Sequence, residues 1–196
     1  MKNFTLRKGF LDCKSGTSSL FKGFVMLVVL MLMTTSSVMA QEAKFEVIDG
    51  FRYLLDSDAK TATLLPKREE KYSGDIIIPE KVKGNDGVEY IVTSLGASCF
   101  QGCSGLTSIT IPSSVISLGE SCFYGCRGLI SITIPSSVTS LGDYCFSNCK
   151  NLETVYFKGK RPSPDCYSRL FIPTTSIIKV PTEYLQDYKD AFGSDY

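Results

Sequence analysis

Along residues 92–160 the apolar positions recur with a period of 23, and the same residue types return in the same columns. VTSLGASCFQGCSGLTSITIPSS at 92–114 is followed without a gap by VISLGESCFYGCRGLISITIPSS at 115–137 and VTSLGDYCFSNCKNLETVYFKGK at 138–160. A fixed period of this length marks a stacked repeat, in which no unit buries its own apolar face and each borrows its neighbours'. Six columns stay apolar throughout: Val92/Val115/Val138, Leu95/Leu118/Leu141, Phe100/Phe123/Phe146, Leu106/Leu129/Leu152, Ile109/Ile132/Val155 and Ile111/Ile134/Phe157.

The last two columns are separated by one residue, the period-2 alternation of a short strand. Thr110, Thr133 and Tyr156 lie between them and must face the other way. Pro112 and Pro135 stop the strand, since proline has no N–H to give to a ladder. Gly102, Gly125 and Asn148 share a column, which predicts a positive-φ turn before the second cysteine of each unit.

The pattern reaches beyond the three clear copies. Ile177-Ile178-Lys179-Val180-Pro181 repeats the strand-then-proline signature 23 residues on, although the rung before it (RPSPDCYSRLFIPTTS) has lost most of the repeat identities. Upstream, Asp75-Ile76-Ile77-Ile78-Pro79 stands 33 residues before its counterpart, and the ten extra residues surround KGNDG at 83–87, which predicts a hairpin insertion. Five strands, at 75–78, 108–111, 131–134, 154–157 and 177–180, are expected to line one parallel sheet.

Solenoid ends need caps. FRYLL at 51–55 and TATLL at 61–65 flank DSDAK and predict a β-hairpin at the front. At the back, Thr182 is the expected N-cap, with Glu183 in the first turn. Leu185, Tyr188 and Phe192 fall on one helical face and Gly193 stands at the expected C-cap, so a short helix is expected over 183–192. The chain thus divides into a leader (1–40), a hairpin cap with a first irregular repeat (41–91), three regular repeats (92–160), and a degenerate repeat with a helical cap (161–196).

These residues resemble the BspA-like leucine-rich repeat proteins of bacteria and some protozoa. The resemblance rests on the LTSITIPSSVTSLGxxCFxxC pattern. It covers residues 72–192, including the YSGDIIIPE entry and the KVPTEYLQDYKDAF exit, and extends more loosely over 45–65. It implies a β-dominated leucine-rich-repeat solenoid of the α/β repeat type, with a parallel sheet of about five rungs. It also implies no catalysis tied to the repeat, export or surface display, and adhesion to host or bacterial proteins. In relatives the column holding Cys99, Cys122 and Cys145 more often holds a small residue such as alanine.

Composition narrows the function further. The 196 residues include no histidine, which removes histidine-based nucleophile pairs, histidine metal ligands and an imidazole base. The carboxylates do not cluster, since Asp56/Asp58 and Glu69/Glu70 lie in turn or linker contexts, so no enzyme and no cofactor is expected. A net charge of +1 gives no concentrated basic face for nucleic acid. Lys2, Arg7, Lys8, Lys14 and Lys22 precede an uncharged run, FVMLVVLMLM, and Val38-Met39-Ala40, the layout of a secretory signal peptide cleaved after Ala40. An uncleaved anchor is the alternative, but the ten-residue apolar run is short of the about 20 a span needs. Membrane contact is expected only through this leader, and an exported protein is expected at the cell surface, in the periplasm or in the medium.

Outside the leader stand 16 basic and 19 acidic groups and seven cysteines: three C-x3-C pairs and Cys166. Thiolate metal ligation would need the pairs to converge, whereas they repeat with the core. Cross-rung disulfides are permitted by export and by a rung spacing of about 4.8 Å, but parallel side chains approach poorly for that bond. Small buried hydrophobes are the reading the pattern favours.

The regular exposed surface is the outward column of the strands: Asp75 and Ile77, Ser108 and Thr110, Ser131 and Thr133, Thr154 and Tyr156, Ile177 and Lys179. At strand spacing they form a stripe about 20 Å long. Short hydroxyls suit an exposed strand on solubility grounds alone. As a whole, the stripe is the expected docking face for an extracellular protein or glycan, with Tyr156, Ile177 and Lys179 as anchors. A structural or self-assembling envelope role is the alternative.

Overall fold

In the computed structural model, which describes residues 44–162, 172–173 and 175–192, each 23-residue unit makes one turn of a three-sided coil. The described residues all fall within the unit Ala43–Tyr196. The leader, Cys166, Gly193 and most of the degenerate rung lie outside the described residues. The strands are β1 (Lys44–Ile48), β2 (Phe51–Asp56), β3 (Thr61–Leu65), β4 (Gly74–Ile77), β5 (Lys81–Lys83) and β6 (Glu89–Leu95). They continue with β7 (Leu106–Thr110), β8 (Ser117–Leu118), β9 (Ser131–Ile134), β10 (Ser140–Leu141), β11 (Thr154–Phe157) and β12 (Ile177–Lys179). A 3-10 turn (Thr182–Tyr184) and an α-helix (Leu185–Phe192) follow.

The first side carries the five expected strands, each within two residues of its expected bounds and all parallel. They do not form one continuous ladder, however. β9, β11 and β12 pair in perfect 23-residue register, while β4 and β7 pair separately. The β4–β7 pairing carries a register shift between Gly74 and Asp75, and β7 starts at Leu106, two residues ahead of its counterparts. A parallel ladder needs evenly phased bonds, and a bulged strand offers its other neighbour the wrong phase. β7 and β9 therefore lie side by side without a ladder.

The second side is a parallel ladder that the sequence pattern did not predict, β6–β8–β10, in which Ser94 pairs with Ser117 and Ser117 with Ser140, and Leu95 with Leu118 and Leu118 with Leu141. Its strands run only two residues in β8 and β10, too short for alternation to register. The Ser117 and Ser94 hydroxyls bond at 2.8 Å. The front cap grows from this ladder. The β2–β3 hairpin forms as expected, β1 adds an outer strand, and β5 pairs antiparallel with β6 across the predicted KGNDG insertion.

The third side is a turn whose amides point forward along the stack. Ser98, Phe100 and Gly102 donate to the carbonyls of Glu120, Cys122 and Tyr124 at 2.7–2.8 Å, and Ser121, Phe123 and Gly125 repeat this one rung later. The predicted positive-φ column is present at Gly102 (69°), Gly125 (71°) and Asn148 (61°). A second such column, Ser98, Ser121 and Tyr144 at 53–57°, carries none of the residue types that normally announce it.

Between the three sides the apolar columns are buried. Phe100, Phe123 and Phe146 stack face over face, with centroids 5.3 and 5.6 Å apart and planes within 2°. Tyr72 and Phe51 extend this stack into the front cap. The six described cysteines are free and buried in two columns. The Cys126 and Cys149 thiols donate to the Phe100 and Phe123 carbonyls of the preceding rung at 3.1 and 2.9 Å. Ser114 and Ser137 do likewise to Val92 and Val115.

The back cap differs from expectation at its start. The N-cap is Pro181, whose carbonyl accepts from the Tyr184 amide at 3.0 Å, and Thr182 is the first residue of the 3-10 turn with no capping bond. Pro181 fixes an extended approach that places the turn one residue earlier than a threonine cap would. Leu185 is exposed, and Tyr184 and Tyr188 face the core in its place. Tyr188 packs on Phe157 at 5.3 Å and donates to the Gly159 carbonyl at 3.2 Å.

Candidate binding face

Because side chains alternate across a strand, the buried Ile109, Ile132 and Val155 force their neighbours outward. Pairing then sorts those neighbours into two ranks. Asp75 lies beside Ser108, and Ser131 beside Thr154 and Ile177. Ile77 lies beside Thr110, and Thr133 beside Tyr156 and Lys179. The fold thus brings all ten predicted residues onto one side, where eight are exposed and Thr133 and Thr154 are half-buried. The break between β7 and β9 divides each rank after its second member.

The two ends of the face differ in chemistry. Asp75 accepts hydrogen bonds from the hydroxyls of Ser108 (2.7 Å) and Thr107 (2.8 Å), which hold its carboxyl below the usual range. Ile77 beside it is 72% exposed. At the far end, the Lys179 ammonium sits 4.9 Å from the Tyr156 ring centroid and 3.3 Å from its hydroxyl. A hollow of about 390 Å³ opens there, lined by Thr133, Tyr156, Phe157, Lys158, Lys179, Val180 and Pro181. Lys158 is a residue the sequence reading passed over. Its signal was the proline column, since Pro112, Pro135 and Pro181 occupy the equivalent places and Lys158 alone breaks the run. Ile130, 56% exposed just before β9, was also missed.

A family model describing a BspA-type leucine-rich repeat region, in six copies, matches residues 87–185. The chain belongs to the BspA-type leucine-rich repeat family. Among solved structures, this BspA-type chain is similar to a leucine-rich repeat protein from Bacteroides capillosus. Identity is 26%, coverage 59% of this chain and 99% of that one, and the TM-score 0.45. It is also similar to one from Eubacterium ventriosum, with 28% identity, coverage of 65% and 32%, and a TM-score of 0.48. A leucine-rich cell surface protein from Faecalibacterium prausnitzii is 23% identical, with coverage of 72% and 44% and a TM-score of 0.49. The chain therefore spans less than half the length of the last two. No curated protein matches it.

Proposed function

We propose that this BspA-type protein is an exported binding module that docks an extracellular protein, or a glycan, through its strand face. The observation that carries this reading is the pair of outward ranks ending at the Tyr156–Lys158–Lys179 hollow. Aromatic and long side chains supply most of the energy in such contacts, and here they collect at one end, with short hydroxyls setting the approach along the rest. The leader at 1–40 supports export, and family membership supports a place outside the cytoplasm. The module binds without catalysing: the carboxylate on the face, Asp75, is engaged by the Ser108 and Thr107 hydroxyls, which lower its pKa and make it a poor base. Exposure of Ile77 (72%) and Ile177 (60%) at opposite ends of the face favours self-assembly as the second reading.

The test is capture by the purified exported protein of extracellular matrix proteins, host glycans and the producing cell's envelope extract, beside the double variant Thr110→Glu/Thr133→Glu. Capture lost in a folded variant supports the strand face. Equal capture moves the site elsewhere, and no capture with concentration-dependent self-association supports the assembly reading.

A further inference from the structure

The residue after the second cysteine of each unit faces solvent, and in successive rungs it is Ser104, Arg127 and Lys150. Lys71 reaches the same edge from the front, with its Nζ 2.8 Å from the Gln101 carbonyl oxygen. Between Lys71 and Arg127 lies a hollow of about 500 Å³ on the turn side, floored by Gly102 and Gly125 and walled by Tyr124 and Asn148.

Three features give this hollow a chemical character. Lys71 and Arg127 both line it, no carboxylate does, and among the described residues neither cation has an ion-pair partner. The floor is bare because the backbone is left-handed there, not because it is crowded: an added Cβ would come no nearer than 3.8 Å to anything at Gly125 and 4.0 Å at Gly102. The middle unit also departs from its neighbours at this spot. Tyr124 stands where the others have Gln101 and Ser147, and Arg127 stands where the first has Ser104.

We propose that this hollow binds an acidic sugar of a linear polysaccharide, a uronate or a sulfated residue. The guanidinium of Arg127 offers a fork that fits a carboxylate or sulfate, and Lys71 adds a second positive charge opposite it. The Tyr124 ring, 36% exposed, takes the flat face of the sugar, and the Asn148 amide a hydroxyl. Lys150, one rung beyond Arg127 at about 4.8 Å, continues the cationic edge for the next acidic residue of the polymer. A row this short, with a ring and an amide beside it, fits a saccharide better than a nucleic acid, whose binding demands many phosphate contacts. The inference concerns the turn side and holds whether or not the strand face binds a partner.

The experiment titrates the exported protein with a heparin tetrasaccharide and a galacturonate trimer, with maltotetraose and a short DNA duplex as controls. Lys71→Gln/Arg127→Gln is expected to weaken binding of the acidic sugars about ten-fold or more, with the urea midpoint unchanged because both side chains are exposed. Tyr124→Ser is expected to weaken both, and Lys83→Gln, an exposed cation of β5 away from the hollow, to leave them as they were. Several results would overturn the proposal: no binding of either acidic sugar, undiminished binding in the paired variant, an equal loss in Lys83→Gln, or equal affinity for maltotetraose or DNA.

Discussion

At Gly125 a single side chain's absence is set by one dihedral angle. There is room for a methyl group above it, so the cost of Gly125→Ala is the left-handed backbone alone, about 1–2 kcal/mol. Gly125→Asn is expected to cost less than Gly125→Ala, because Asn148 already holds the same conformation one rung on. Urea midpoints for the two variants check this order. Gly119 and Gly142 are a different case, since an added Cβ there would run into the backbone of the preceding rung, and Gly119→Ala is expected to cost more than Gly125→Ala. Phe123 is sandwiched between two parallel rings and fully buried. Phe123→Ala should lose about 3–5 kcal/mol, read by the same unfolding titration. The left-handed Ser98, Ser121 and Tyr144 show where residue-level reading ends. Nothing in serine or tyrosine announces that conformation. At Ser98 and Ser121 it accompanies the forward amide bonds of the turn to Glu120 and Asp143, which only the stacked neighbour supplies.

Elements behaved in the same way. The strands were legible because an apolar–outward–apolar triplet recurs at a fixed place in every unit and is closed by proline everywhere except at Lys158, and the β2–β3 and β5–β6 hairpins because turn residues separate two apolar runs. The β6–β8–β10 ladder was not, since two residues per rung carry no periodicity and the pairing lies 23 residues away. The break between β7 and β9 was likewise invisible, because it comes from a bulge at Thr107 of β7 that only the pairing with Gly74 and Asp75 of β4 reveals. The candidate face was read residue by residue from alternation, but Lys158 was lost because it lies just past the strand and its meaning comes from the prolines above and below. The closing helix depends on Tyr188. Tyr188→Phe removes the bond to Gly159 and is expected to cost about 0.5–1.5 kcal/mol, while Tyr188→Ala also uncovers Phe157 and costs more. Amide hydrogen exchange in β11 and β12 should speed up in the alanine variant before the middle rungs respond.

For the whole molecule, the buried thiols of Cys122 and Cys145 give stability a distinct pH dependence. Burial pushes the Cys122 and Cys145 thiols well up from the ordinary value of 9.0, so in the folded chain they stay protonated where the unfolded chain ionises. The unfolded state then binds fewer protons, and stability falls as pH rises above about 9. Buried Tyr53 and Tyr188 are raised in the same sense and add to the loss above about pH 10. Urea midpoints measured across the alkaline range should fall steadily, and a Cys122→Ala/Cys145→Ala chain should show a shallower decline between the two values. The seams between rungs have a consequence of another kind. Each unit presents the same set of donors and acceptors to the unit before it and the same set to the unit after it, so the join does not record which unit stands on the other side. Excising residues 115–137 would set Phe146 on Phe100, bring the Cys149 thiol to the Phe100 carbonyl and leave Ser114 on Val92. Genes built this way can lengthen or shorten by whole units through misaligned recombination, with the fold surviving each event and only the reach of its surfaces changing.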